Sequence, residues 1–141
     1  VDEPPQSRNE ALAGLMRRMN ICEERGSGID KTLFEIELHQ LPAPDFRVTD
    51  HHTVATMFSA MPHDRMEKPD RIRACYLHAC LKQVSNEAMT NETLRTRLNI
   101  PVKDYPKASR IIRETIEANL VKPHDPSSKS RKHAKYLPFW A

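Results

Sequence analysis

The sequence predicts an α+β protein of two unlike halves, and three observations carry that prediction. Apolar residues recur at three- and four-residue intervals over several stretches, the spacing of a helix face, and alternate elsewhere, the spacing of a strand. Charge is divided: residues 1–69 hold 8 Lys/Arg and 12 Asp/Glu, net −4, whereas residues 70–141 hold 14 and 7, net +7. Between them "SAMPHDRMEKPD", residues 59–70, carries Pro62 and Pro69 without periodicity, which predicts a linker at 61–69.

In the first half, Leu12, Leu15, Met16 and Met19 form a helical stripe behind Asn9, a side chain suited to capping, so residues 10–20 are expected to be an amphipathic helix. Ile29, Leu33 and Ile36, flanked by Phe34, Leu38 and Leu41, predict a second helix over 28–40, apolar enough to be buried on more than one side. "LPAP", residues 41–44, stops it. Phe46, Val48, Val54, Thr56 and Phe58 then alternate around Asp50-His51-His52, which predicts a hairpin. Residues 1–60 thus form a helix-helix-hairpin unit.

In the second half, Asp70 is placed to cap a helix carrying Ile72, Cys75, Tyr76, Ala79 and Cys80. Thr90 caps a short helix whose buried pair is Leu94 and Leu98. After the turn "IPVKDYP", Ala108, Ile111, Ile112, Thr115 and Ile116 give a third helix from Tyr105 to Ala118 with a continuous apolar face. "LVKPHDPSSKSRKHAKYLPFW" places two extended segments around a Ser-rich basic loop. Three helices followed by a basic hairpin is the order of a winged helix-turn-helix, expected over residues 70–141.

Such a module reads DNA with its third helix in the major groove while neighbouring groups hold phosphates. With the apolar face inward, Lys103, Lys107, Arg110 and Arg113 are expected outward or at the rim, with Asp104 and Glu114 the acidic exceptions. Ser109 is small enough to let backbone approach phosphate or a base edge, or it bonds locally. The loop adds Lys129, Arg131, Lys132, His133 and Lys135. Double-stranded DNA is the expected partner. A protein-docking or dimerisation module is the alternative for the same fold, and a homodimer reading two half-sites fits such regulators, although no heptad specifies an interface.

"EERGSGID", residues 23–30, raises a second alternative, a nucleotide-binding fragment. Glycines before a helix N-terminus offer free N–H groups to a phosphate, and Arg25 would add a cation. The spacing is neither the dinucleotide fingerprint nor the P-loop, however, and Asp30 repels an anion. A tight turn with Gly26 or Gly28 at positive φ and Ser27 as the next cap is the favoured reading.

Other chemistry finds no anchor. Three cysteines, Cys22, Cys75 and Cys80, fit neither an even disulfide set nor paired zinc spacings, and His51-His52 lacks a ligand partner, so no metal and no catalytic group are expected. Met16, Met19, Met57, Met61 and Met66 are expected as core filler and linker contacts, and Phe139 and Trp140 as anchors of the last strand. No apolar run nears the roughly 18 residues of a membrane span. The start "VDEPPQSRNE" has no signal-peptide pattern, so a cytoplasmic protein without membrane partners is expected, with Val1 opening a fragment of something longer.

"SRNEALAGLMRRMNICEERGSGIDK…LPAPDF" resembles the C-terminal part of bacterial divergent-AAA, Schlafen-like transcriptional regulators, also labelled RecG C-terminal-like, and "TNETLRTRLNI…ASRIIRETIEANLVKPHDP…KYLPFWA" resembles their winged-helix tail. The resemblance implies a DNA-binding transcriptional regulator lacking its N-terminal Alba-type domain, and an ATP-binding-like middle domain. Arg8, Asn9, Arg25, Gly26, Ser27 and Gly28 match the family pattern, while Glu10 replaces its usual proline. Most of a nucleotide pocket would precede Val1. This fragment is therefore expected to hold no cofactor and not to be an enzyme, ATP belonging to the longer protein.

Overall fold

Helix α1, Glu10–Arg18, starts where Asn9 leaves the helix in extended backbone and its side-chain oxygen accepts from Leu12 N–H at 3.0 Å. The computed structural model describes residues 6–22, 27–125 and 134–141. Cα packing divides the chain into two compact units, Val1–Glu35 and Ile36–Ala141. The segment 61–69, expected as a linker, lies inside the second unit, where Met66 is buried. The fold is α+β, as predicted.

The first unit holds α1 and the opening turns of α2, Ser27–Leu38. The apolar stripe of α1 is real, but Leu12, Leu15 and Met19 are all exposed. Helix α2 differs from its expectation: of its apolar side chains only Ile36 is buried, while Ile29, Phe34 and Leu38 are exposed. Gly28 is helical without positive φ, and a Cβ added there would meet nothing within 4 Å. Arg25 and Gly26 lie outside the described residues, as does the side chain of Ser27.

The second unit opens with a hairpin, β1 (Asp45–Val48) against β2 (Thr53–Thr56), in the register Phe46↔Ala55. Thr49 closes its turn by bonding His52 through both backbone and side chain. Helix α3 then runs Lys68–Val84, one turn before its expected start. Glu67 precedes it without a side-chain cap, Pro69 fits the first turn because its missing N–H is not needed there, and Asp70 sits inside that turn bonded to Arg73 at 2.7 Å. Arg73 also reaches the Ala43 carbonyl at 3.3 Å and lies over the Phe58 ring.

Strand β3 (Met89–Thr90), which two residues could not announce by periodicity, leads into α4 (Asn91–Arg97). A single 3-10 turn, Val102–Asp104, joins α4 to α5 (Tyr105–Glu117), and β4 (Val121–Pro123) and β5 (Lys135–Pro138) close the chain. The sheet order is β3-β5-β4, antiparallel throughout, with Met89↔Tyr136 and Val121↔Pro138. That order, with β3 inserted between the first two helices, is a winged-helix arrangement. Its core is Ala74, Cys75 and Ala79 of α3, Met89, Leu94 and Leu98, Ile100, Ala108, Ile111 and Ile112 of α5, and Val121. Of the methionines assigned to packing, Met66 is buried but Met19, Met57 and Met61 are exposed; Met89, outside that group, is fully buried in the core.

Helix ends follow one rule. In all five described α-helices the second residue past the end has positive φ: Asn20, Gln40, Asn86, Asn99 and Asn119. The next N–H then returns to a carbonyl of the last turn, as in Ile21 to Met16 at 2.9 Å and Ile100 to Arg95 at 2.8 Å, a Schellman closure. Asparagine tolerates the left-handed region better than most side chains, and four of these five positions are Asn, with Gln40 the exception.

Candidate nucleic-acid interface

Helix α5 presents the expected face because its apolar residues fall on one side. Ala108, Ile111, Ile112 and Thr115 are buried, and Arg110, two residues past Ala108, stands about 200° around the helix from it. Lys103, Lys107, Arg110 and Arg113 are all exposed, Lys103 in the 3-10 turn and the other three at three-residue spacing on α5, within about 120° of one another around the helix. Two are internally partnered. Lys107 Nζ lies 3.0 Å from Asp104 Oδ2, and Arg110 Nε donates to Glu114 Oε1 at 3.0 Å.

Glu114 departs from its expectation as an outward acidic residue. It is 9% exposed, held at the edge of the helix's buried side, and its Oε2 is buried with no partner among the described residues. Ser109 is half-buried, with its Oγ accepting from Asn91 Nδ2 at 2.9 Å, so it braces α5 against the start of α4. Asn91 also donates to the Tyr105 carbonyl and accepts from Arg95 Nε. This seam fixes the angle between the two helices.

The stem of the wing is described and its tip is not. The His124 N–H donates to the Lys135 carbonyl at 2.9 Å, and Lys135 is exposed, opposite Thr90 in register. Lys129, Arg131, Lys132 and His133 lie outside the described residues. The closing aromatics do not bury as expected: Phe139 and Trp140 are 54% and 49% exposed, although Phe139 stacks on Tyr76 with centroids 6.2 Å apart. Beside Tyr76 runs an open apolar groove of about 430 Å³ lined by Lys68, Pro69, Ile72, Arg73 and Leu120.

A polar cluster that periodicity could not reveal joins α2, α3 and α4. Glu37 bonds His78 Nδ1 through one carboxylate oxygen and Arg97 Nε through the other, and Arg97 also donates to the Leu41 carbonyl at 2.6 Å. His78 and Arg97 are buried. Burial alone would raise the Glu37 pKa, but the His78 hydrogen bond and the Arg97 charge outweigh it and hold the carboxyl below its ordinary range. The partners are 41 and 60 residues away in sequence, so no local signal marks them.

For catalysis and cofactors the geometry offers little. No group of three His, Cys, Asp or Glu residues gathers as a metal site among the described residues. Burial pushes the Cys75 thiol up to about 12, against a smaller opposing effect of Thr115, so it serves as core rather than nucleophile. Cys22 is exposed and Cys80 half-buried, and all three are free. Asn9, matched to the nucleotide-binding pattern, has its side chain occupied by the α1 cap, and the Gly28 carbonyl accepts from Thr32 Oγ1 at 2.8 Å. No described helix is long and apolar enough to cross a membrane.

Residues 1–57 match the family model described as "Putative ATP-dependent DNA helicase recG C-terminal". The match spans the first unit and continues to the hairpin of the second, stopping short of α3, α4 and α5. No curated protein and no solved structure matches the chain.

Proposed function

We propose that this chain is the DNA-binding C-terminal part of a transcriptional regulator, with α5 as the major-groove helix and the β4–β5 wing on phosphates. The observation that carries the reading is the exposure of Lys107, Arg110 and Arg113 on the third helix of a winged-helix arrangement, with Lys103 exposed in the turn that leads into it. The family match over residues 1–57 supports reading that stretch as part of an ATP-binding-type region. The bland account of the cations is a solvated helix face, and it predicts no affinity for DNA.

Fluorescence anisotropy of the chain with random duplex DNA at several salt concentrations tests this. If about five cations contact phosphates, the log-log slope against salt is roughly −4 to −5. A variant with Lys129, Arg131, Lys132 and Lys135 changed to Ala is expected to bind more weakly with a shallower slope. No binding at about 100 μM, the weak end of non-specific affinity, would count against DNA and for a second reading. That reading is protein docking or self-association, favoured by the apolar groove beside the exposed Phe139 and Trp140. It predicts an assembly that survives Lys107→Ala and Arg110→Ala.

A further inference from the structure

Three cations, Lys107, Arg110 and Arg113, share the outward side of α5, but the structure treats one of them differently. Lys107 pairs with Asp104, whose side chain is a third exposed, so this is a solvated pair. Arg113 is exposed with no ion pair among the described residues. Arg110 is anchored by a carboxylate that is itself nine-tenths buried, while its own side chain remains 73% exposed. The anchor is rigid and the cation is outside.

The anchor takes hold at one atom. Glu114 Oε1 accepts from Nε, and neither terminal amino group of the guanidinium has a hydrogen-bond partner among the described residues. The second carboxylate oxygen, Oε2, is buried without a partner, so Arg110 supplies the only hydrogen bond that this carboxylate has among the described residues. Releasing Arg110 would leave a buried charge unpaired, which is costly. The bond therefore favours one orientation of Arg110 before any ligand arrives.

Resting on the DNA-binding reading above, we infer that Arg110 is the specificity-determining residue of α5, that it reads a guanine, and that Glu114 is its positioning residue. Guanine presents two acceptors, O6 and N7, on its major-groove edge, and the two terminal amino groups of a guanidinium match them as a planar fork. Adenine offers N7 beside a donor, which a guanidinium cannot satisfy. Pre-orienting the fork removes the rotamer entropy that a free Arg would lose on binding. Lys107 and Arg113, lacking such an anchor, hold phosphate.

The test is selection of bound duplexes from a random library by the full chain, followed by affinities for the selected site. Guanine is expected at one fixed position, and changing it to adenine costs roughly tenfold to a hundredfold. Replacing that base by 7-deazaguanine, which lacks the N7 acceptor, weakens the wild type but leaves Arg110→Ala unchanged. Glu114→Gln narrows the guanine-to-adenine ratio while affinity for random duplex moves by less than about threefold, because phosphate contacts are intact. Arg110→Ala strands the buried Glu114 carboxylate, so the double variant Arg110→Ala/Glu114→Gln, which removes that charge as well, is measured beside it and is also expected to select no guanine. DNA binding without guanine enrichment, or the same guanine selected by Arg110→Ala, would overturn this inference and leave the DNA-binding reading standing. Failure to bind any duplex overturns both.

Discussion

At the scale of single residues, Glu37 is the position with the largest predicted effect. It is the shared partner of buried His78 and Arg97, and replacing it by Gln leaves the Arg97 charge without a counter-ion. The expected loss is up to about 3 kcal/mol at neutral pH, the low end for a broken buried pair because the Glu37 side chain keeps 18% exposure. The pH dependence has a definite sign. A folded carboxyl held below its ordinary value of 4.5 contributes stability that is present above that pH and is lost as pH falls through the folded value. Thermal melts of wild type and Glu37→Gln should therefore differ most near neutrality and converge below pH 4.5. A constant difference down to strong acid would remove Glu37 from the account. Residues of this kind were illegible beforehand, because the polar atoms that meet come from segments far apart in the chain. Asn9 and Thr90 were legible because a cap acts on N–H groups two or three residues away.

At the scale of elements, short-range chemistry decided where helices begin and end. Thr90 accepts from Thr93 N–H at 3.2 Å while Thr93 Oγ1 accepts from Thr90 N–H at 3.0 Å, a reciprocal capping box. Helix α4 has seven residues, too few to be stable by propagation alone, so the cap matters more than in a long helix. Thr90→Ala is expected to destabilise the second unit by about 1 kcal/mol, read as a drop in the denaturant midpoint with unchanged slope. An unchanged midpoint would show that packing by Leu94 alone holds α4. Where an element's boundary was misplaced, a competing local effect explains it. The sequence favours Asp70 as a cap, but Pro69 is compatible with the first turn and lets α3 start earlier, at Lys68. The periodicity of α2 predicted a helix correctly but said nothing reliable about burial, since an apolar residue is only a candidate for the core until a neighbour covers it.

At the scale of the whole molecule, the chain is not uniformly stable. Helix α1 buries none of its residues, whereas α5 buries five, including Ile111, Ile112 and Thr115. Native-state hydrogen exchange should show the α1 amides exchanging on the order of 100-fold faster than those of α5, which a difference of about 2.8 kcal/mol in opening free energy gives. Equal protection of α1 and α5 would mean that the first unit is as firmly held as the second. The sequence by itself determined the α+β class, the order of the helices, the hairpin around Asp50-His51-His52 and the exposure of Lys107, Arg110 and Arg113 on α5. Each of these is set by a periodicity, a cap or a turn residue acting over a few positions. Only the tertiary structure decided that Glu114 would be buried behind Arg110, that Ser109 would brace α4, that β3 would join β5, and that Glu37 would meet His78 and Arg97. Those contacts join segments distant in sequence, or depend on which side of a helix its neighbours cover, and no local spacing encodes either.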